Sequence, residues 1–339
     1  MKVAELRRRR IRRRRVVTAA VAVLAVALFL LRALVGDYSI AFVDAIRILA
    51  GADLGTANFV FLHTKLPRAL VGLLAGAGLG AAGAAFQSML RNPLASPDVI
   101  GVTLGSSAAA VGTTVFLGFT SLQATGAAFV GGLAVAVTIF VLSGSAHSAS
   151  NRIILIGIGL AAALQAVIHW SLMKGNTYHA RDAMMWLAGS LNAVTWQGVV
   201  RVSLAVVAGL TALLVLARQL GAVEAGDDLA GGLGIKVRQL RLGIMVAVVV
   251  IVAGVTSVAG PLAFIGLLSG PIARRLNQGR ASLLIAALVG AVIVLGADFA
   301  GSILLPVGPL PAGVITGALG APMLVVLLMG TSRKERVHG

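Results

Sequence analysis

KLPRALVGLLAGAGLGAAGAAFQSMLRNPLASPDVIGVTLG, residues 65–105, decides the fold. From Leu70 to Ala85 it carries no charge and is dense in Gly and Ala, the composition of a helix packed closely among other helices inside a bilayer. The run then meets Arg91-Asn92-Pro93-Leu94-Ala95-Ser96-Pro97-Asp98, where two prolines remove backbone donors and polar groups can satisfy the freed carbonyls. A second apolar run starts near Val99. The stretch therefore reads as two membrane spans joined by a proline turn.

Composition agrees. Only 12% of the 339 residues are charged and 58% are hydrophobic, with mean hydropathy +0.99, whereas soluble domains carry about 25% charged residues. The chain is all-α and polytopic, with room for about ten spans of ~20 residues and none for a sizeable soluble domain. It has no cysteine, so disulfides and thiolate metal sites are excluded, and its five histidines are scattered. The net charge of +17 is concentrated: Arg7–Arg10 and Arg12–Arg15 supply eight positive charges just before an apolar run. With no interleaved aromatic residues and no basic domain, this block reads as an anchor on anionic lipid, and nucleic acid is not an expected partner.

Residues 1–15 form a basic segment, 16–330 one transmembrane domain, and 331–339 a basic tail. The first span runs from Val16 to Gly36, with Arg32 placed to snorkel outward. A cleaved signal peptide is its rival, but the run is long and lacks a convincing small-x-small cleavage site. Residues 37–65 suit an amphipathic helix and loop. Further spans are expected over 66–90, 99–117, 122–142, 153–173, 199–216, 242–258, 260–275, 282–299 and 309–329. Between the sixth and seventh lies a polar stretch, 217–241, which must dangle or dock on another protein. In this layout 21 of the 28 Lys and Arg residues fall on one side, which sets both termini in the cytoplasm and the chain in the cytoplasmic membrane.

The motifs of the opening stretch are specific. Leu66-Pro67-Arg68, Gly76, Gly83, Gln87, Arg91-Asn92-Pro93-Leu94-Ala95-x-Pro97 and Gly101 resemble the second-helix signature of the FecCD/BtuC family, the permeases of type II ATP-binding-cassette (ABC) importers for ferric siderophores, haem and cobalamin. Trp186-Leu187-Ala188-Gly189-Ser190-Leu191 with Trp196, Gly260-Pro261-Leu262-Ala263-Phe264-Ile265-Gly266-Leu267 and Leu310-Pro311-Ala312-Gly313-Val314 are similar to further family elements. Two departures stand out. The proline at Pro271 sits one position late with no histidine after it, and the arginine expected four residues beyond Asp298 is Ser302.

The resemblance implies a BtuC-like fold and alternating access driven by two copies of a separate ABC ATPase, fed by an external substrate-binding protein. It implies that Asp227, Asp228, Leu229, Ala230, Leu233 and Gly234 dock the ATPase and that Lys65 and Arg68 meet the binding protein. Gly83, Gln87 and Asn92 are candidates for the translocation path, although Gln87 suits a hydrogen bond to a neighbouring helix equally well. The GPLAFIGL form is more similar to siderophore permeases than to cobalamin ones. The two departures suggest a heterodimer with a different FecCD-type permease, a homodimer being the alternative.

No P-loop, HExxH or GxSxG element is present, so no catalysis and no cofactor is expected, and ATP hydrolysis belongs to a partner. A secondary carrier or membrane scaffold is the rival class, but a carrier would ordinarily show ionisable residues in several spans. Only His169, near a span end, interrupts the apolar runs surveyed.

Overall fold

The computed structural model describes residues 2–98, 101–118, 121–143, 149–304 and 309–335. Val99, the expected start of the third span, lies outside them, as do 144–148 of the Ser-rich loop and 336–339 of the tail. All the regular structure described is helical: α1 (Lys2–Leu34), α2 (Phe42–Leu49), α3 (Thr56–Phe59), α4 (Leu66–Leu90), α5 (Val102–Leu117), α6 (Ser121–Ser143), α7 (Ala149–Lys174), α8 (Thr177–Leu187), α9 (Trp196–Ala225), α10 (Asp227–Gly232), α11 (Val237–Ala259), α12 (Ile265–Leu276), α13 (Leu283–Phe299) and α14 (Ala312–Glu335). Two π-helical turns, Val60–Lys65 before α4 and Ala300–Leu304 after α13, complete the order.

Helices occupy the positions of all ten expected spans. Seven are long and apolar enough to cross a bilayer, and Val102–Leu117 and Ala312–Met323 are shorter apolar helices. The eighth expected span is only the 12-residue α12, which at 1.5 Å per residue reaches about 18 Å, roughly half the hydrocarbon thickness. The basic segment is not separate from the first span, since α1 runs through both. Likewise α14 continues through residues 331–335 of the expected tail.

The small residues of α4 make it the central helix. Nineteen of its 25 residues are buried. One face carries Gly76 and Gly80, and a Cβ on either would strike the backbone of Gly290, Ala291 or Ala286 in α13. Further along, a Cβ at Gly83 would lie 2.1 Å from the carbonyl oxygen of Gly266 in α12. Backbones meet at these points, and any side chain would hold them apart. Beyond α4 the core continues through Val202, Val206 and Leu213 of α9 and Ile244, Val248, Ile251 and Val255 of α11.

Local signals explain the helix ends. Pro67 sits in the first turn of α4, where no intrahelical donor is needed. At the other end Arg91 adopts a left-handed conformation, φ 53°, and the Asn92 amide donates back to the Gln87 carbonyl at 3.1 Å, closing a Schellman-type cap. Thr195 and Ser282 cap α9 and α13, their hydroxyls accepting from the amides of Gly198 and Ile285.

Candidate functional site

Two polar clusters lie at opposite ends of the bundle. One gathers around α10, the other around Asp298.

On the α10 side, α9 extends over 30 residues, about 45 Å, and carries its last acidic residue, Glu224, beyond bilayer length. Gly226, with φ 137°, breaks the chain into α10, and Gly234, with φ 78°, ends it. A Cβ at Gly234 would meet nothing within 4 Å, so backbone conformation and not space demands glycine there. Ala230 is fully buried and seats the helix, while Leu229 and Leu233 remain 55% and 65% exposed. Asp227 faces inward: Arg241 Nη2 donates to both of its carboxylate oxygens at 3.0 and 2.9 Å, and Arg91 Nη2 approaches at 3.5 Å. One turn earlier, Arg274 of α12 donates to Glu224 at 3.1 Å and to the Ser88 hydroxyl of α4 at 2.9 Å.

The proline turn sits beside this cluster. Asn92 Oδ1 accepts from the Leu94 amide at 2.9 Å, an Asx-type turn that fixes the chain through Pro93. Asp98 accepts from Thr103 at 2.6 Å and from Ser96 at 3.3 Å. Burial pushes its carboxyl above the ordinary range, and these two hydrogen bonds act against that shift.

Gly83 and Gln87 are both buried in the seam between α4 and α12. The role of Gln87 follows from Pro271, which has no N–H to offer the Leu267 carbonyl four residues back. Gln87 Nε2 donates to that oxygen at 3.0 Å and approaches the Gly266 oxygen at 3.4 Å. The amide replaces a bond the helix cannot make. Gly83 lets α12 come close enough for this. Of the three residues expected along a path, only Asn92 is part-exposed.

At the opposite end Asp298 of α13 accepts three bonds: from Arg32 Nε at 2.6 Å, from Arg68 Nε at 2.9 Å and from Arg68 Nη2 at 2.7 Å. The side chains of Arg32, Arg68 and Asp298 are 6%, 12% and 1% exposed. Arg32 therefore turns into the bundle and does not snorkel outward, because a buried carboxylate is within its reach. Lys65 and Arg68 are not free rim charges either, since Lys65 is buried and its Nζ donates to the Leu34 carbonyl at 3.0 Å. Where an arginine is expected at position 302, the Ser302 hydroxyl bonds its own helix at the Asp298 carbonyl.

The tryptophan element works in the same region. The Ser190 amide donates to the Ala259 carbonyl, the Gly313 amide to the Gly189 carbonyl, and Trp196 Nε1 to the Leu62 carbonyl. Trp186-to-Leu191 thus ties the end of α11 to the start of α14. Among the described residues no cluster of His, Asp or Glu could hold a metal ion.

Residues 24–330 match the FecCD transport family. The chain belongs to that family. It is 39% identical over 279 residues to the ferric enterobactin transport system permease protein FepG of Escherichia coli K12, covering 82% of this chain and 84% of FepG. Identity to FepD, another permease protein of the same named system in that organism, is 34% over 310 residues, covering 89% and 92%. A solved metal-chelate type ABC transporter in an inward-facing conformation superposes with TM-score 0.81 at 25% identity, covering 92% of this chain and 98% of that one. As a member of the FecCD transport family with seven helices long and apolar enough to cross a membrane, the chain is a membrane subunit of a transporter.

Proposed function

We propose that this protein is one permease subunit of an ABC importer that moves a ferric siderophore across the cytoplasmic membrane, with the α10 side and both termini in the cytoplasm. Within residues 217–241, α10 and the ends of α9 and α11 that flank it then form the ATPase-docking segment of a single permease domain. The observation that carries this reading is α10: a six-residue helix between two positive-φ glycines, seated by Ala230, with Leu229 and Leu233 turned outward. Exposed leucines on a short polar-flanked helix suit a hydrophobic socket on another protein. A separate ATPase, two copies in the full importer, supplies that socket and the energy. Asp228 is free to contact it, while Asp227 and Gly234 hold the helix in place.

A second FecCD-type permease completes the path. FepG and FepD share one system name, which supports pairing with a different chain over a homodimer. An external binding protein delivers the chelate to the Asp298 end. Arg68 and Lys65 meet it only if they exchange their internal partners for its carboxylates. Asn92, in the proline turn, remains the candidate path residue.

The test is uptake of radioactive iron, presented as a catecholate, a hydroxamate and a citrate chelate, in cells lacking this gene. Wild-type restores uptake of one chelate, and Leu229→Ser/Leu233→Ser inserts normally but restores none and fails to retain the ATPase on purification. Unchanged uptake of all three in the deletion strain refutes the ferric-chelate assignment. Full rescue by the double variant refutes docking through α10.

A further inference from the structure

The two ion clusters beside α10 have matching spacing. Glu224 and Asp227 are three residues apart and flank Gly226, while Ser88 and Arg91 are three residues apart at the end of α4. Arg274 ties Ser88 to Glu224 on one side of the glycine, and the Arg91 guanidinium reaches Asp227 on the other. The last turn of α4 is thereby strapped at two points to the chain on both sides of a hinge. Asp227 is also held by Arg241 near the start of α11, so the carboxylate links α11 to the end of α4.

The Ser88–Arg274 contact spans 186 residues of sequence and the Arg274–Glu224 contact 50. Arg91 is the left-handed cap residue of α4, so its backbone leads straight into Asn92 and the proline turn. A displacement of α10 about Gly226 carries Asp227, together with Arg241 and the start of α11, relative to Glu224. It therefore pulls on Arg91 while Arg274 keeps Ser88 in register, and the difference between the two straps turns the end of α4 and the loop that follows. An ionic contact that is part-exposed, as Arg91 to Asp227 is, contributes little to stability. Its value is in direction, not in strength.

We infer that Arg91 and Arg274 are positioning residues of the transport cycle, forming the link by which movement of the ATPase-docking helix reaches the proline turn between α4 and α5. This rests on the importer reading above. The link predicts that cutting it leaves ATP hydrolysis running while transport falls behind.

The experiment uses the whole importer, this chain with its partner permease, ATPase and binding protein, reconstituted in liposomes with the radioactive iron chelate that supports uptake in cells. ATP hydrolysed and iron accumulated are measured together for wild type, Arg91→Gln, Arg274→Gln and Arg91→Lys. With coupling changes of the size seen along such networks, iron moved per ATP is expected to fall between about two-fold and about thirty-fold in the two glutamine variants. Hydrolysis in these variants stays within about two-fold of wild type on the same footing, and Arg91→Lys, which keeps the charge, recovers most of the ratio. An unchanged ratio in both glutamine variants overturns the link, and so does a parallel loss of hydrolysis and transport, which marks the contacts as structural staples only. A wild-type complex that hydrolyses ATP without accumulating iron refutes the importer reading, and the link with it.

Discussion

Replacing Asp298 by leucine should be among the most damaging single changes available in this chain. Its carboxylate accepts three short bonds from two guanidiniums, and all three side chains are nearly excluded from the surface. Removing one partner of a buried ion pair costs about 3–5 kcal/mol, because the remaining charge stays desolvated and uncompensated. Here two arginines are left facing each other, so the upper end of that range applies. Arg32→Met should be far milder, about 1 kcal/mol, because it removes the excess positive charge and leaves the two-pronged Arg68–Asp298 pair neutral and intact. Arg68→Met should fall between, since two of the three bonds go with it. Replacing all three by Met, Leu and Met should recover most of the loss, as apolar substitution of buried charge clusters is often neutral or stabilising by about 1–4 kcal/mol.

The assay is thermal unfolding of the purified protein in lipid nanodiscs, with the amount recovered from membranes as a second measure. The expected order of midpoints, from lowest, is Asp298→Leu, Arg68→Met, Arg32→Met. A midpoint for Asp298→Leu equal to wild type, or a triple variant no more stable than Asp298→Leu, would show that the cluster is solvated in the membrane and would refute the reasoning.

Three other changes test the packing of α4 and the docking helix. Gln87→Leu strands the Leu267 carbonyl and should cost about 1–3 kcal/mol, whereas adding Pro271→Ala returns an N–H to that oxygen and should restore much of the thermal midpoint. Gly83→Leu places atoms inside the Gly266 backbone and should cost at least the ~1–3 kcal/mol of ordinary overpacking, read as loss of folded protein from the membrane fraction. Gly234→Ala meets open space yet must hold φ 78°, a strain of about 1–2 kcal/mol, so it should weaken ATPase retention without lowering the yield of inserted protein.

The bilayer topology was legible because hydropathy and span length act locally. The Gly-rich run of α4, the proline turn and the polar stretch before α11 each announce themselves within a few residues. Side-chain partners across the bundle were not legible in the same way. Arg32 on its own reads as a residue near a span end that should escape to water, and only the placement of α1 against α13 shows a carboxylate closer than the interface. Lys65 and Arg68 look like rim charges for the same reason. The sequence leaves Gln87 open between path and helix contact, and one signal decides it: a proline inside a short helix needs a donor from elsewhere, and Gln87 is a buried amide on the helix that packs there.

The departures from the family pattern acquire a physical meaning from these contacts. Position 302 carries a serine where an arginine is expected, yet Asp298 does not lack positive partners, because Arg32 and Arg68 together supply more charge than it can neutralise. The charge expected on the π-helical turn after α13 has its counterpart on α1. That arrangement binds the first span to the core through an ion cluster, whereas an arginine at 302 would have projected from the turn itself.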